Sequence, residues 1–590
     1  MNYSSIPSAQ SVVLHCKAKG IQDIIISPGS RNAPLTIGFT EDHSFNCYSI
    51  VDERCAAFFA LGMAQQLQRP IAVLCTSGSA LLNYYPAVAE AFYSGIPLVV
   101  ISADRPLYKI DVGDGQTIRQ DHVFDRHIGY SANLKQDVAH ATEKVDKYAP
   151  QYIDGDVTEA QGRIQEYNDS ELNKALNLAI YDNLPVHINV PFEEPLYDKI
   201  AKPTVHPEVQ NVVDNKIANQ DLTEFSKRWN STTRKMVLVG VNYPNSVEQK
   251  YLDQLAEDPS VIVLTETTSN LHHPKFFSSI DGIIAPIEKL DAKEEFFNAL
   301  QPEILLTFGG LVVSKKVKAF LRKYRPKHHW HIDGHKAYNT FYVLSQHFKL
   351  NVNDFFNRFL PSVRNVESEY FRYWNGIRFE YEAKRAEYLA CIPFTDLVAF
   401  KQVIEFMPNN VQLQIANSSA IRYTQLFNLK PTIEVFCNRG TSGIDGSVST
   451  AIGASVVNGK QTVLLTGDLS FFYDSNGLWN NYIKSNFRII LINNDGGGIF
   501  RILPGKEESQ IFETYFETTH NLKAVQLCEM HGIEYRCVKD ENSLKNELGK
   551  FFGGSTISKL LEIRTPRKLN DKILIEYFDF ISSGIINYIH

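Results

Sequence analysis

Short apolar runs alternate with longer amphipathic stretches along this chain. The runs are rich in valine, isoleucine and leucine, which is typical of strands that are buried on both faces of a parallel sheet. A polar or glycine-containing loop follows most of the runs, and the amphipathic stretch after the loop predicts a helix. The runs predicted to be strands are 23–27, 71–76, 97–103, 185–190, 235–240, 261–265, 303–308, 329–333, 411–416, 433–437, 462–466 and 488–492.

This order of strand, loop and helix recurs in three regions, which predicts the α/β class with three doubly wound domains and mainly parallel sheets. A chain of 590 residues is too long for one core, since domains usually contain about 100–200 residues. We place the domains at residues 1–195, 205–365 and 385–590, with a polar connection over 193–230. The charged segment 135–173 predicts a surface excursion of solvated helix, and segment 367–388 predicts a helix leading into the third domain.

Two neighbouring predicted strands of the third domain end in polar residues. Gly467-Asp468 follows the first strand, and Asn493-Asn494-Asp495-Gly496 follows the second. The 26 residues between Asp468 and Asn494 leave room for a crossover helix, predicted over 471–484. Because ligands bind beyond the carboxyl ends of parallel strands, we expect these residues to form one site.

The residue types at these strand ends indicate a metal bound to a diphosphate. Asp468 offers a carboxylate oxygen, Asn494 an amide oxygen and Gly496 a main-chain carbonyl, which suit Mg²⁺, with Mn²⁺ as the alternative. Glycine permits close backbone approach to phosphate, and the amides at the start of the crossover helix can bind an anion. The structural alternative is a capped turn without a ligand.

An acidic pair precedes a helix of small and apolar residues in the first domain. Asp52 and Glu53 stand directly before the stretch 54–62, so either carboxylate could simply favour the helix N-terminus. If a cofactor's diphosphate is bound in the third domain, its other end also needs a partner. A second interpretation of this acidic pair is therefore that it contacts that other end.

Composition excludes several classes of function. The chain is 44% hydrophobic and 21% charged, and its net charge of −7 with a pI near 6.2 gives no support for binding nucleic acid or a membrane surface. No apolar run reaches the roughly 18–20 residues of a membrane span, and residues 1–20 lack the core of a signal peptide. We therefore expect a cytoplasmic protein without membrane insertion. The 8 cysteines contain no C-x-x-C pair, so no disulfide framework or zinc site is indicated.

The Gly467-Asp468 and Asn493-Asn494 pair resembles the cofactor motif of thiamine diphosphate enzymes, and the whole chain is similar to their three-domain members. The resemblance implies a pyrimidine-binding domain at 1–195, a central domain at 205–365 and a diphosphate- and metal-binding domain at 385–590. It also implies that Glu53 is catalytic, since the family's first-domain glutamate hydrogen-bonds the aminopyrimidine ring and favours its imino tautomer. That tautomer removes the thiazolium C2 proton. A homodimer or homotetramer with active sites at the subunit interface is implied as well.

Further segments resemble one branch of these enzymes, the 2-succinyl-5-enolpyruvyl-6-hydroxy-3-cyclohexene-1-carboxylate synthases of menaquinone biosynthesis. The segments are 27–35, 52–54, 102–106, 116–120 and 437–446. The resemblance implies decarboxylation of 2-oxoglutarate and conjugate addition of the succinyl unit to isochorismate. It implies that isochorismate contacts Ser30, Arg31, Arg105, Lys315 and Lys316, and that the carboxylates derived from 2-oxoglutarate contact Gln116, Ser418, Arg422 and Arg439. Cationic side chains suit both dicarboxylates, although a solvated surface charge is the alternative for each.

Three apolar residues complete the expected site. Ile444 matches the residue that supports the bent conformation of thiamine, and Ile499 and Phe500 are expected to wall the reaction centre against water. Ordinary packing is the alternative for all three. Leu469 replaces the glycine common in the wider family, which disfavours a generic decarboxylase.

Three other functions remain as alternatives. The first is another thiamine diphosphate-dependent carboligase or decarboxylase, which the arginine-rich loops of the first domain disfavour. The second is a flavin or nicotinamide oxidoreductase, but segment 27–31 does not fit the G-x-G-x-x-G pattern that such an enzyme needs after an early strand. The third is a catalytically dead homologue, which the presence of Glu53, Asp468 and Asn494 disfavours.

Overall fold

The computed structural model describes residues 2–211, 220–503 and 507–584. The connection predicted over 193–230 therefore lies partly outside the described residues. The chain divides into two compact units. Unit 1 comprises Met1–Asp214, Gly440–Gly459 and Ser470–Phe487, and unit 2 comprises Asn215–Arg439, Lys460–Leu469 and Arg488–His590.

Three parallel sheets carry the fold. The first contains β2 to β7, the second β9 to β13 and the third β14 to β19, while β1 and β8 form a small antiparallel pair. The strands are β1 (Tyr3–Ser4), β2 (Asp23–Ile26), β3 (Asn46–Ser49), β4 (Ile71–Cys75), β5 (Leu98–Asp104), β6 (Tyr130–Asn133), β7 (Val186–Pro191), β8 (Lys199–Ile200), β9 (Lys235–Val239), β10 (Val261–Leu264), β11 (Ile304–Phe308), β12 (His328–Ile332), β13 (Leu344–Phe348), β14 (Gln412–Ile415), β15 (Glu434–Phe436), β16 (Thr462–Gly467), β17 (Arg488–Asn493), β18 (Glu534–Val538) and β19 (Lys559–Arg564).

Helices connect most of the successive strands, as the sequence pattern predicts. They are α1 (Pro7–Ala18), α2 (Ala33–Thr40), α3 (Glu53–Leu67), α4 (Ser79–Asn83), α5 (Tyr85–Ser94), α6 (Thr142–Tyr148), α7 (Val157–Tyr181), α8 (Thr223–Asn230), α9 (Gln249–Glu257), α10 (Asp281–Ile287), α11 (Lys293–Leu300), α12 (Lys315–Lys323), α13 (Val352–Phe359), α14 (Tyr370–Leu389), α15 (Asp396–Phe406), α16 (Ser419–Thr424), α17 (Ser447–Val457), α18 (Asp468–Tyr473), α19 (Val525–His531), α20 (Glu541–Phe551) and α21 (Asn570–Ser582). None of the helices in the described residues is long and apolar enough to cross a membrane.

The first and third sheets have the same topology. Their strand orders are β3-β2-β4-β5-β7-β6 and β15-β14-β16-β17-β19-β18, so strands at equivalent places in the chain occupy equivalent places in the sheet. The strand order reverses between β2 and β4 and again between β14 and β16. Ligands of open α/β sheets bind at such switch points. The predicted α/β class with mainly parallel sheets is confirmed, and the three domain boundaries stay a prediction.

The twelve predicted strands are all present, with bounds that differ by a residue or two. The sequence pattern missed β3, β6, β13, β18 and β19 as well as the short pair β1 and β8. β3 and β18 are edge strands, so most of their residues are half-buried or exposed. Neither strand therefore has a continuous apolar run. The predicted helix over 367–388 is confirmed as α14.

One prediction about helices was wrong, and a second was right about the helices but not about their exposure. The crossover expected over 471–484 is only the short α18, followed by a 3-10 turn at Ser475–Leu478, because Ser-Asn-Gly at 475–477 favours a turn. Segment 135–173 is not simply a solvated excursion. Its last part lies in α7, where Leu172 belongs to the hydrophobic core of the first sheet, and the buried Asp169 accepts a hydrogen bond from the buried His15 at 3.0 Å.

Close contact between two helices builds the centre of unit 1. An ideal Cβ on Gly62 of α3 would lie 2.0 Å from the Thr450 carbonyl oxygen of α17, and one on Gly453 would lie 2.0 Å from the Phe59 carbonyl oxygen. Only glycine fits at either crossing point, since any side chain would collide with backbone. The helix that begins at Glu53 is therefore fixed against α17.

Unit 2 contains the second and third sheets, and one hydrophobic cluster reaches strands of both. It includes Leu238 and Leu305 of the second sheet, Leu465 and Ile490 of the third, and Trp374 of α14. All five side chains are almost completely buried. None of the eight cysteines, all of which lie in the described residues, forms a disulfide, and five of them are buried.

Candidate active site

The polar ends of β16 and β17 meet in unit 2. The two strands are parallel neighbours, with Gly467 opposite Ile492. Asp468 is 4% exposed, and its Oδ2 accepts hydrogen bonds from the backbone amides of Asn494 at 3.1 Å and Gly496 at 3.0 Å. Its Oδ1 accepts from the Leu469 amide at 2.7 Å. The structure therefore brings together the three residues predicted to bind a metal.

A buried carboxylate orients the Asn494 side chain. Asn494 Nδ2 donates to Asp396 Oδ2 at 2.9 Å, so Oδ1 of the same amide is left as the acceptor atom. Thr565 Oγ1 donates to the other oxygen of Asp396 at 2.5 Å. Burial raises the pKa of Asp396 to about 6, and the nearby charge of Asp468 also raises it. Sequence reasoning missed Asp396, because it stands 98 residues before Asn494 and at the start of an ordinary helix.

The backbone of the loop after Asn494 contains a glycine at a position where a side chain would be crowded. Gly496 has φ of +153°, and an ideal Cβ there would lie 3.0 Å from the Glu517 carbonyl oxygen. His520 Nε2 lies 3.5 Å from Asp468 Oδ2. Ile499 and Phe500 follow in a 3-10 turn at Gly498–Ile502, and both are half-buried. The donor set of one carboxylate, one amide oxygen and one main-chain carbonyl fits a hard divalent cation with its phosphate ligand.

The helix whose N-terminus was predicted to bind phosphate has different bounds from those predicted. The helix begins at Asp468 rather than near Phe471, and it ends at Tyr473. A helix of 6 residues has a weak dipole and offers only its first backbone amides to an anion. In the described residues no group of three or more His, Cys, Asp or Glu side chains is arranged to hold a metal ion.

Two guanidinium groups lie near the carboxyl ends of β14 and β15 in unit 2. Arg439 Nη1 donates to Asn417 Oδ1 at 2.6 Å, and Arg422 is on the short helix α16. Burial lowers the pKa of Arg422, the carboxylate of Asp281 raises it, and the charge of Arg439 lowers it, so the two guanidiniums are close enough to interact. Ser418 precedes α16 with φ of +67°, a strained value for serine.

A lysine that sequence reasoning missed joins this pair. Burial lowers the pKa of Lys318, the carboxylate of Glu266 raises it, and the charges of Arg439 and Arg422 lower it. The predicted Lys316 instead forms an ion pair with Glu288, and Lys315 is exposed at the start of α12. Lys315 and Lys318 are three residues apart and share one face of α12, but only the fold places Lys318 beside the two arginines.

The buried Glu266 interacts electrostatically with Lys318 of this cluster. It is 4% exposed and accepts hydrogen bonds from the backbone amides of Val313 at 2.7 Å and Ser314 at 2.6 Å, directly before α12. Burial raises the pKa of Glu266 to about 7. The cluster of Arg422, Arg439 and Lys318 thus has an excess of positive charge that can bind carboxylates.

Glu53 begins α3 in unit 1. The preceding Asp52 is the N-cap, since its Oδ1 accepts a hydrogen bond from the Cys55 amide at 3.2 Å. Glu53 is half-buried, and its Oε2 lies 3.5 Å from Asn83 Nδ2. The capping function that could have explained either acid therefore falls on Asp52 and leaves the Glu53 carboxylate available for another contact.

The four first-domain residues predicted to bind substrate lie in loops that follow β2 and β5. Arg105 Nη1 donates to Ser77 Oγ at 2.6 Å and to the Gln116 carbonyl oxygen at 2.8 Å. Arg31 is 5% exposed and pairs with Glu194 at 2.8 Å. Burial lowers the pKa of Arg105, and the charge of Arg31 lowers it further, so these two cations are neighbours. Ser30 and Gln116 are exposed.

Ile444 lies in a loop that is tied to unit 1 at two points. Ser470 Oγ donates to the Ile444 carbonyl oxygen at 2.7 Å. Earlier in the loop, the buried Glu90 accepts hydrogen bonds from the backbone amides of Gly440 at 2.7 Å and Thr441 at 2.6 Å. α17 begins three residues after Ile444, so this loop leads directly into the helix against which α3 packs.

Comparison with known proteins defines the class. The N-terminal TPP binding domain of thiamine pyrophosphate enzymes matches residues 8–127, and their C-terminal TPP binding domain matches residues 418–562. The first match contains Glu53 and Arg105, and the second contains Asp468 and Asn494. The protein is therefore a thiamine diphosphate enzyme, thiamine pyrophosphate being the same cofactor.

Nearly full-length relatives narrow the class to one family. A 2-succinyl-5-enolpyruvyl-6-hydroxy-3-cyclohexene-1-carboxylate synthase of Christiangramia forsetii is 55% identical over 99% of this chain and 100% of its own length. Proteins of the same name from Flavobacterium johnsoniae and Bacteroides fragilis are 54% and 36% identical, each over 98% of this chain and 99% of their own. The chain belongs to the 2-succinyl-5-enolpyruvyl-6-hydroxy-3-cyclohexene-1-carboxylate synthase family, which confirms the resemblance of its motifs.

Proposed function

We propose that this protein decarboxylates 2-oxoglutarate and adds the resulting succinyl unit to isochorismate, giving 2-succinyl-5-enolpyruvyl-6-hydroxy-3-cyclohexene-1-carboxylate in menaquinone biosynthesis. The family name of the relatives supports the product. Thiamine diphosphate, when bound, supplies the electron sink that lets a 2-oxo acid lose carbon dioxide. The protein's residues bind, orient and exclude water around that chemistry.

One observation carries the cofactor part of the proposal. Asp468 accepts two backbone hydrogen bonds from the loop that contains Asn494 and Gly496, so the three residues with suitable oxygen ligands lie together at adjacent strand ends. In the proposal, Asp468, Asn494 and the Gly496 carbonyl hold Mg²⁺, with Mn²⁺ as an alternative, and Gly467 allows the diphosphate to approach the strand end. Ile444 supports thiamine, and Ile499 and Phe500 exclude water.

In the proposal, Glu53 shares a proton with a ring nitrogen of the aminopyrimidine. A carboxyl group that hydrogen-bonds a ring nitrogen favours the tautomer in which the exocyclic nitrogen can accept a proton. Support comes from the division of labour at the start of α3, where Asp52 caps the helix and the Glu53 carboxylate is spared that function.

Two cationic groups suit two dicarboxylate substrates. We assign isochorismate to Ser30, Arg31 and Arg105 with Lys315 and Lys316, and the 2-oxoglutarate carboxylates to Gln116, Ser418, Arg422 and Arg439. The electrostatic coupling of Arg31 with Arg105, and of Arg422 with Arg439, supports two separate clamps. A guanidinium binds a carboxylate through two parallel hydrogen bonds, which fixes orientation as well as charge.

The proposal includes three domains and an oligomer. The first domain at 1–195 binds the pyrimidine, the domain at 385–590 binds the metal and diphosphate, and the domain at 205–365 lies between them in sequence. We propose a homodimer or homotetramer whose active sites combine the first domain of one copy with the third domain of another. Multi-angle light scattering of the purified protein distinguishes either oligomer from a monomer.

Mass spectrometry of the product tests the proposed reaction. The enzyme is incubated with thiamine diphosphate, Mg²⁺, isochorismate and 2-oxoglutarate labelled with ¹³C at positions C2 to C5. We expect a product that carries four labelled carbons on the isochorismate skeleton, and carbon dioxide release that depends on both substrates. Carbon dioxide released equally well without isochorismate would instead favour a simple 2-oxo acid decarboxylase.

A further inference from the structure

A turn at residues 473–476, directly after α18, contacts the chain on both sides of Glu53. Arg54 Nη2 donates to the Tyr473 carbonyl oxygen at 3.0 Å, and its guanidinium carbon lies 4.9 Å above the centre of the Tyr473 ring. On the other side, Asn476 Nδ2 donates to Asp52 Oδ2 at 2.9 Å. Both neighbours of Glu53 in the chain are therefore held by the same turn.

Asp474 is the centre of this turn. Its side chain is fully buried, and its Oδ1 lies 3.6 Å from the Cys55 thiol sulfur and 3.7 Å from Arg54 Nη2. The same carboxylate accepts from the Ser449 backbone amide at 2.7 Å and from the Ser449 hydroxyl at 3.0 Å. One carboxylate thus joins the first turn of α3 to the first turn of α17.

The Asp474 carboxylate is buried together with charged and polar partners, which indicates a function beyond packing. Burial raises the pKa of Asp474 to about 6, although the Ser449 amide and the Arg54 cation both lower it. A buried carboxylate is costly unless its partners are fixed, and removal of its charge takes a nearby anion away from the half-buried Arg54 guanidinium. Asp474 directly follows α18, and α18 begins at Asp468, which is a proposed metal ligand.

We propose that Asp474 is a positioning residue, which holds Arg54 and Cys55 so that Glu53 is presented to the cofactor in one orientation. This inference rests on the proposed role of Glu53. Asp474 touches neither cofactor nor substrate in the proposal, and it acts through the first turn of α3. A displacement of the reacting groups of about 1 Å is enough to reduce a rate about 100-fold.

The test compares two buried carboxylates of unit 1. Asp474→Asn keeps the size of the side chain but removes its charge. Asp137→Asn is the matched control, because Asp137 is 3% exposed and accepts one backbone amide, from Ser8 at 2.9 Å, and one side-chain amide, from Gln161 at 2.7 Å. Deuterium exchange at C2 of thiamine diphosphate is measured by NMR with the cofactor and Mg²⁺ saturating, beside the dissociation constant of the cofactor.

We expect Asp474→Asn to slow C2 exchange about 10- to 100-fold with cofactor affinity changed less than about threefold, and Asp137→Asn to change neither. In the protein without cofactor, backbone amide exchange of residues 53–57 should quicken in Asp474→Asn alone. Adding Arg54→Met to Asp474→Asn should slow C2 exchange no further, because both changes break one connection.

Several outcomes would overturn the inference. Wild-type C2 exchange in Asp474→Asn, or a loss that Asp137→Asn reproduces, would make Asp474 an ordinary structural residue. Glu53→Gln separates this failure from that of the proposed function. If Glu53→Gln suppresses exchange while Asp474→Asn does not, only the positioning inference fails, and if Glu53→Gln leaves exchange unchanged, the assignment of Glu53 fails first.

Discussion

The hydrogen bond from Asn494 to Asp396 allows a quantitative prediction about the proposed metal site. Asp396→Ala removes the acceptor that orients the Asn494 amide, which now donates at 2.9 Å. A hydrogen bond to a charged group is worth about 1.5–3 kcal/mol, and each 1.4 kcal/mol changes an equilibrium constant about tenfold. Outer partners of metal ligands independently show losses of about 10- to 100-fold in metal affinity. We therefore expect the Mg²⁺ requirement for cofactor binding to rise about 10- to 100-fold.

The assay is a titration of Mg²⁺ at a fixed concentration of thiamine diphosphate, followed by calorimetry or by the change in protein fluorescence. Thr565→Val is the matched control, because it removes the bond to the other oxygen of Asp396 and leaves the Asn494 bond in place. It should shift the titration less than about threefold, since that oxygen does not contact the amide. A folded Asp396→Ala variant with a wild-type titration would refute the claim that Asp396 orients Asn494.

Three further predictions follow from packing, pH and charge. Gly453→Ala should destabilise the protein by about 1–3 kcal/mol or more in urea unfolding, because the added Cβ would lie 2.0 Å from a backbone oxygen. The control Gly549→Ala should be neutral or stabilising, because Gly549 is in a helix and its Cβ would have no atom within 4 Å. Equal effects of the two substitutions would contradict the packing argument. Burial raises the pKa of Glu266 from 4.5 to about 7, so this group favours the folded state below pH 4.5 and the benefit is lost as the pH rises to about 7. Glu266→Gln should therefore lose less stability than the wild type between these pH values, and parallel pH profiles would contradict that sign. Arg422→Lys should raise the KM for 2-oxoglutarate about tenfold and the KM for isochorismate much less, and an unchanged ratio of the two would remove Arg422 from the proposed clamp.

The sequence predicted the sheets where burial leaves a simple pattern. The runs at 462–466 and 488–492 became β16 and β17 because both strands are buried on two faces and need unbroken apolar residues. Marginal strands such as β3 and β18 carry polar residues, so their pairing depends on neighbours that a local pattern does not contain. The predicted helix over 471–484 failed because Ser-Asn-Gly at 475–477 favours a turn, and an amphipathic pattern does not indicate the fully buried Asp474 before that turn.

The candidate site divides in the same way. Asp468, Asn494 and Gly496 could be predicted because they follow strands that are close in the chain. Asp396 and Lys318 could not be, because only the fold brings Asp396 beside Asn494 and Lys318 beside the two arginines. Long-range partners of this kind follow from tertiary packing, to which local sequence spacing gives no access.

A mixed oligomer tests the central claim that one cofactor is bound by Glu53 of one copy of the chain and by the Asp468 loop of another. Glu53→Gln and Asp468→Ala subunits carrying different affinity tags are coexpressed, and the mixed dimer is isolated through both tags. Each variant alone should be inactive. If each site takes Glu53 from one copy and Asp468 from the other, one of the two sites in the mixed dimer is intact, so we expect about half of the wild-type synthase activity. A mixed dimer as inactive as either parent would contradict the account.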